Sequence, residues 1–228
     1  WLLVLLSKHK KEGIAMTHLL CLGDSITDCG RLFSPDPLGN GYVKQLSVLL
    51  HAAGRHFSIE NKGIDGFTLE KLLHNIDGWI TACDPDIVTV LIGINDIGIM
   101  MNTSRTPQQQ QTLMKEFSVR YEILIRNLSA IQHTTPSPST RKLFVLEPFI
   151  FPWPQCYISW MPLLTQMSGQ ILKISKKYRA VFVPLQDALI KEASRVGMDA
   201  ITIDGIHLTP LGHQFLAKKI YSSITERF

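Results

Sequence analysis

Ser25, Asp204 and His207 have the side chains needed to make a hydroxyl nucleophilic. A serine hydroxyl is a weak nucleophile until a base removes its proton. His207 supplies an imidazole, and Asp204 stands three residues before it in Asp204-Gly205-Ile206-His207. A carboxylate at that spacing on one turn can reach the imidazole Nδ1–H. It fixes the tautomer, stabilises the imidazolium and leaves Nε2 free for the serine proton. Attack on a carbonyl also creates an oxyanion, which needs preorganised donors. The candidates are the Ser25 N–H, the Gly63 N–H and the Asn95 side-chain amide. Gly63 has no side chain, so a substrate can approach its backbone. Taken singly, each motif also reads as ordinary turn chemistry: Asp204 capping a turn, the glycines turning the chain, Asn95 bonding its own backbone. Taken together, they fall at the ends of successive predicted strands and in one late turn.

The elements that must hold these groups follow from hydrophobic periodicity. Residues 18–22 form a short apolar run that empties into Gly23-Asp24-Ser25-Ile26-Thr27. Residues 57–61 alternate and enter the glycine turn 62–66. Residues 86–92 read as a strand whose run of β-branched residues suggests burial on both faces. They end in Gly93-Ile94-Asn95-Asp96, after which a polar loop is expected up to Arg105. Residues 142–146 and 180–183 are the fourth and fifth strands, and the fourth runs into an aromatic, proline-rich loop at 147–154. Helical spacing covers 42–53, a segment after Thr68, a long segment from Thr106-Pro107 to Ile131, 164–178, 186–196, and a last segment after Thr209-Pro210. Residues 28–40 read as a rim loop and 134–140 as a second loop. Strands alternating with helices predict an α/β domain whose parallel sheet carries helices on both faces. Its site would lie beyond the carboxyl ends of the strands.

Composition bounds the function classes. The 228 residues are 45% apolar and 18% charged, enough for one domain with a sizeable core, and no apolar run is long enough to span a membrane. Formal net charge is +4. Lys8, Lys10 and Lys11 against Glu12 contribute half of it, and the remaining basic residues are scattered, which argues against nucleic acid as the partner. Residues 1–15 read as an N-terminal extension: they are apolar and then charged, the reverse of a secretory signal, and Met16 stands directly before the first strand. An amphipathic arm packing on a partner subunit is the alternative. Residues 16–228 read as a single domain. Cys21, Cys29, Cys83 and Cys156 have neither metal-ligand nor disulfide-framework spacing, which predicts free thiols, a cytoplasmic setting and no metal.

These motifs resemble those of the SGNH (GDSL) hydrolases. Gly23-Asp24-Ser25-Ile26-Thr27 is similar to that family's first block. Gly63, in the stretch 61–66, is similar to the second, Gly93-Ile94-Asn95-Asp96 to the third, and Asp204-Gly205-Ile206-His207 to the fifth. The resemblance covers residues 17–225. It implies a flavodoxin-like three-layer α/β/α sandwich with a five-stranded parallel sheet in the order 2-1-3-4-5. It also implies Ser25, Asp204 and His207 as the triad, and Ser25, Gly63 and Asn95 as the oxyanion hole. The α/β-hydrolase motif Gly-x-Ser-x-Gly does not fit, because Thr27 occupies its last position. The stretches 23–31 and 38–43 resemble the branch with bacterial xylan and carbohydrate acetylesterases. Members of that branch carry an aromatic and a basic residue soon after the Asn-Asp pair, whereas this chain continues Ile97-Gly98-Ile99-Met100, a more apolar wall.

The resemblance implies a cofactor-free serine esterase acting on a short acyl group, acetyl first, of a small-molecule ester such as an acylated sugar. A lipase, lysophospholipase or thioesterase of the same fold is the alternative, and a non-catalytic binding protein a further one. Members of the branch often assemble, so a homo-oligomer is expected. Arg31, Phe33, Phe149, Phe151 and Trp153 are candidate substrate contacts beside the site. Glu147 reads as a pocket carboxylate or a strand-end residue, and His213 as a structural histidine and rival base.

Overall fold

The computed structural model describes residues 16–101, 104–130 and 141–227. The expected extension at 1–15, the continuation of the long helix to Ile131 and the loop at 134–140 lie outside these residues. Five parallel strands form one sheet: β1 (Thr17–Gly23), β2 (Phe57–Gly63), β3 (Ile87–Leu91), β4 (Lys142–Leu146) and β5 (Val181–Val183), in the order β2-β1-β3-β4-β5. All five residues of the central β3 are buried, as its β-branched-rich sequence favours, while the edge strand β2 keeps a partly wet face.

The helices are α1 (Ser25–Asp28), α2 (Tyr42–Ala52), α3 (Leu69–Cys83), α4 (Ile94–Met100), α5 (Pro107–Ala130), α6 (Met161–Lys177), α7 (Gln186–Val196), α8 (Met198–Ile201) and α9 (Pro210–Thr225). Their starts follow the residues that cap them. The Thr209 hydroxyl accepts from Gly212 N at 3.1 Å, with Pro210 in the first turn. Thr106 and Gln109 cap α5 reciprocally, Thr106 N–H donating to Gln109 Oε1 at 2.7 Å and Gln109 N–H to Thr106 Oγ1 at 3.3 Å.

Three of these helices were not expected, the short α1 and α8 and, most consequentially, α4. The polar loop predicted after Asn95 is helix α4. Ile94, Ile97 and Met100 fall three residues apart and bury their side chains in the core, and that spacing outweighs the intervening Asn95, Asp96 and Gly98. No helix among the described residues is long and apolar enough to cross a membrane.

Register positions the site. Gly23 pairs with Gly63 on one side and Leu91 on the other, so the first three strands end level with one another. The chain leaving each of them therefore emerges at the same edge, where Ser25, the 64–68 turn and Asn95 meet.

Candidate active site

Ser25 is the first residue of α1, immediately past β1. Asp24 follows the strand with extended backbone, and its carboxyl oxygen accepts from Ile26 N at 3.0 Å, which starts the helix. Two glycines permit this sharp exit. A Cβ on Gly23 would stand 2.2 Å from Thr27 Oγ1, and one on Gly63 would stand 2.2 Å from Asp28 N. The short helix thus lies directly on the strand ends, with the Ser25 hydroxyl facing outward.

Ser25 Oγ lies 3.0 Å from His207 Nε2, and His207 Nδ1 lies 2.7 Å from Asp204 Oδ2. The other carboxylate oxygen of Asp204 accepts from Ile206 N at 2.9 Å and His207 N at 2.8 Å. Burial raises the Asp204 pKa, but the hydrogen bonds from His207 and Ile206 outweigh it and hold the carboxyl below its ordinary value. An ionised Asp204 favours the tautomer with a proton on Nδ1, which leaves Nε2 as the acceptor facing Ser25.

The loop carrying this pair is fixed from several sides. The Thr202 hydroxyl accepts from Gly205 N at 2.9 Å and donates to the His207 carbonyl at 2.8 Å, while Ile203 N donates to the same carbonyl at 2.9 Å. Gly205 has φ +94° and packs so closely that a Cβ would stand 1.8 Å from the Trp153 carbonyl. Phe151 N donates to the Gly205 carbonyl at 2.9 Å. The aromatic loop after β4 is therefore the backing of the histidine turn.

That packing corrects two expected substrate contacts. Phe149 and Phe151 are each about 1% exposed and stack edge to face in the core, out of reach of a substrate. Trp153 is half exposed and lines neither of the cavities that meet the site. Phe33 is 93% exposed and does line the cavity at Ser25. Arg31 faces inward: its guanidinium donates to the Gly63 carbonyl at 2.7 Å and lies 3.5 Å from Asp28, so it ties the serine turn to the loop after β2. Glu147 accepts from Leu185 N at 2.8 Å and Gln186 N at 3.0 Å, and so caps α7. His213 is buried, which pushes its pKa down to about 4. Its Nδ1 accepts from Tyr42 N at 3.1 Å, and its Nε2 faces Cys29 Sγ at 3.3 Å, so both ring nitrogens are engaged away from Ser25.

The expected donor Gly63 is also corrected. Its N–H is buried and donates to the Asn61 side chain at 2.8 Å, so it does not face the cleft. Gly63 is a glycine because α1 crosses over it. Gly66, three residues on, has φ +67° and lines the cavity that Asn95 also lines; its N–H meets no acceptor among the described residues. The Asp65-Gly66 dipeptide is a turn signal in the sequence. Asn95 Nδ2 donates to the Phe67 carbonyl at 2.9 Å, which orients the amide and leaves its second N–H available. The Ser25 N–H, first in its helix, has no intrahelical acceptor.

Two cavities border the site, Asp65 and His207 lining one and their neighbours Gly66 and Ile206 the other. One of about 500 Å³ is lined by Ser25 and His207 together with Leu32, Phe33, Ile64 and Ile203. The other, of about 930 Å³, is lined by Gly66, Asn95 and Ile206 and also by Trp160, Lys71 and Arg105. No cluster of metal-binding side chains occurs among the described residues.

A serine, a histidine and an aspartate brought together at the edge of a five-stranded parallel sheet in this order match the SGNH hydrolase fold. Residues 21–215 match the model of the GDSL-like Lipase/Acylhydrolase family, and the chain belongs to that family. It is 31% identical over 222 residues to an acetylxylan esterase of Geobacillus stearothermophilus, covering 90% of this chain and 93% of the relative. A crystal structure of an acetylxylan esterase from that organism superposes with TM-score 0.76 at 25% identity, covering 92% of this chain and 95% of the other. An α/β hydrolase from the metagenome of Lake Arreo, Spain, shares the fold with TM-score 0.77 at 22% identity, covering 93% and 98%. The chain is a carboxylic ester hydrolase of this family.

Proposed function

We propose that the protein is a serine esterase that removes acetyl groups from a carbohydrate. The observation that carries this reading is the relay from Ser25 Oγ through His207 to Asp204, with separations of 3.0 Å and 2.7 Å. Ser25 Oγ attacks the ester carbonyl while its proton passes to His207 Nε2. The oxyanion is received by the Ser25 N–H, the Gly66 N–H and the second N–H of Asn95. His207 then gives its proton to the alcohol oxygen, and the alcohol leaves. A water, deprotonated by His207, hydrolyses the acyl-serine and releases the acid and the free hydroxyl.

The acetylxylan esterase relative supports a carbohydrate as the alcohol half. The exposed Leu32, Phe33 and Ile203 beside Ser25 offer apolar surface for one face of a sugar ring. Four unpaired cysteines support a reducing, cytoplasmic setting. The test is hydrolysis of a p-nitrophenyl ester series and of acetylated xylo-oligosaccharides, with Ser25→Ala alongside. Release of acetate from the oligosaccharide, lost in the variant, is expected. Activity only on long-chain lipid esters would replace this reading with a lipase, and activity surviving in Ser25→Ala would refute the mechanism.

A further inference from the structure

The two cavities divide the substrate between them. The leaving oxygen must take its proton from His207, and the cavity that His207 and Ser25 both line is the smaller one. The alcohol therefore departs through that cleft. The acyl chain, a separate substituent of the carbonyl carbon, takes the other cavity, whose lining includes the oxyanion donors Gly66 and Asn95. At about 930 Å³, that cavity has far more room than a two-carbon acyl group fills.

Its wall carries two cations. Lys71 and Arg105 line it, and neither has a carboxylate within ion-pair distance among the described residues. Lys71 Nζ has only the Gly66 carbonyl, at 3.5 Å. Gly66 also supplies an oxyanion donor, so this ammonium stands beside a residue that faces the reacting carbonyl. His74 spends Nδ1 on the Glu70 carbonyl and keeps Nε2 free. Glu70 is the one acidic group on the wall, so the two cations leave a net positive charge facing the acyl chain.

We infer that this cavity binds acyl groups ending in a carboxylate, so that the enzyme cleaves half-esters of short dicarboxylic acids as well as acetyl esters. The inference rests on the serine-esterase reading and extends its acyl range. The reaction is the same hydrolysis: water adds across the ester, one alcohol leaves, and a free dicarboxylate is released.

The experiment compares monoethyl succinate with ethyl butyrate, which has the same chain length without the charge, by pH-stat titration. The succinate is expected to have the higher kcat/KM. Its preference should fall about fivefold in Lys71→Gln and in Arg105→Gln, and should also shrink as salt is raised, as screened ion pairs do. Succinate turned over more slowly than butyrate, or a preference that neither variant nor salt moves, overturns the inference. Ethyl acetate cleaved while the succinate is refused sinks only this extension, whereas an enzyme inert on ethyl acetate and on acetylated oligosaccharide sinks the esterase reading itself.

Discussion

Gly205→Ala tests whether close packing behind the histidine turn positions the base. A Cβ there would meet the Trp153 carbonyl at 1.8 Å and Tyr157 Cδ2 at 2.8 Å, at a backbone φ of +94°. The left-handed conformation alone costs ~1–2 kcal/mol. The main-chain clash forces the turn outward and weakens the bond from Phe151 N to the Gly205 carbonyl, about 1 kcal/mol more. The expected destabilisation is about 2–3 kcal/mol, a fall in Tm of roughly 4–12 °C for a chain of this size. His207 lies two residues along, and a shift of ~1 Å in a catalytic group costs about a hundredfold in rate. Gly54→Ala is the control, since it has φ +69° and open space around the added carbon. It should lose ~1 kcal/mol through backbone strain and keep its kcat. The assays are thermal melting and kcat/KM on p-nitrophenyl acetate. A Gly205→Ala enzyme that melts within about 2 °C of the parent and keeps kcat/KM within about threefold would refute the packing argument.

Three further outcomes follow from the site. With Asn95 in the proposed oxyanion role, Asn95→Ala should lower kcat about 10²–10³-fold with little change in KM; a rise in KM alone would make Asn95 a substrate-binding group instead. Arg31→Ala should lower kcat about tenfold or more at nearly constant KM, because Arg31 braces the Gly63 carbonyl; a raised KM at constant kcat would restore it as a substrate contact. Burial pushes the Asp24 carboxyl up to about 7, helped by nearby Asp96 and opposed by the Ile26 N–H. A carboxyl raised in the folded state favours folding while protonated, so that contribution is lost as pH rises from about 4 to 7. Asp24→Asn keeps the acceptor for Ile26 N, so its stability relative to the parent should grow across that window, by as much as about 4 kcal/mol at ~1.4 kcal/mol per pH unit. Denaturant melts at several pH values measure this, and a gap that narrows with rising pH would contradict it.

Much of this arrangement was legible in the residues. Strong periodicity marked the strands, and Thr-Pro pairs marked the starts of α5 and α9, because those signals are local. Ser25, Asp204 and His207 could be picked out because their chemistry and their places at strand and turn ends agree. Choosing between two glycines three residues apart was not possible from sequence. Gly63 is excluded as a donor by the Asn61 side chain and by the crossing of α1, both of them tertiary contacts. Phe149 and Phe151 misled for a similar reason, since an apolar loop reads the same whether it walls a cleft or fills the core. Arg31 carries a charge usually read as solvent- or substrate-facing, and its inward bond depends on a carbonyl 32 residues away. The α4 helix was hidden by polar residues whose short apolar spacing becomes meaningful only against the core.

The most direct test of the central claim is labelling with a fluorophosphonate, followed by peptide mapping of the parent, Ser25→Ala and His207→Ala. The account predicts one phosphonyl group per chain, attached to Ser25, absent from Ser25→Ala and formed at least about a hundredfold more slowly in His207→Ala. A label on another residue, or equal labelling of Ser25→Ala, would contradict it.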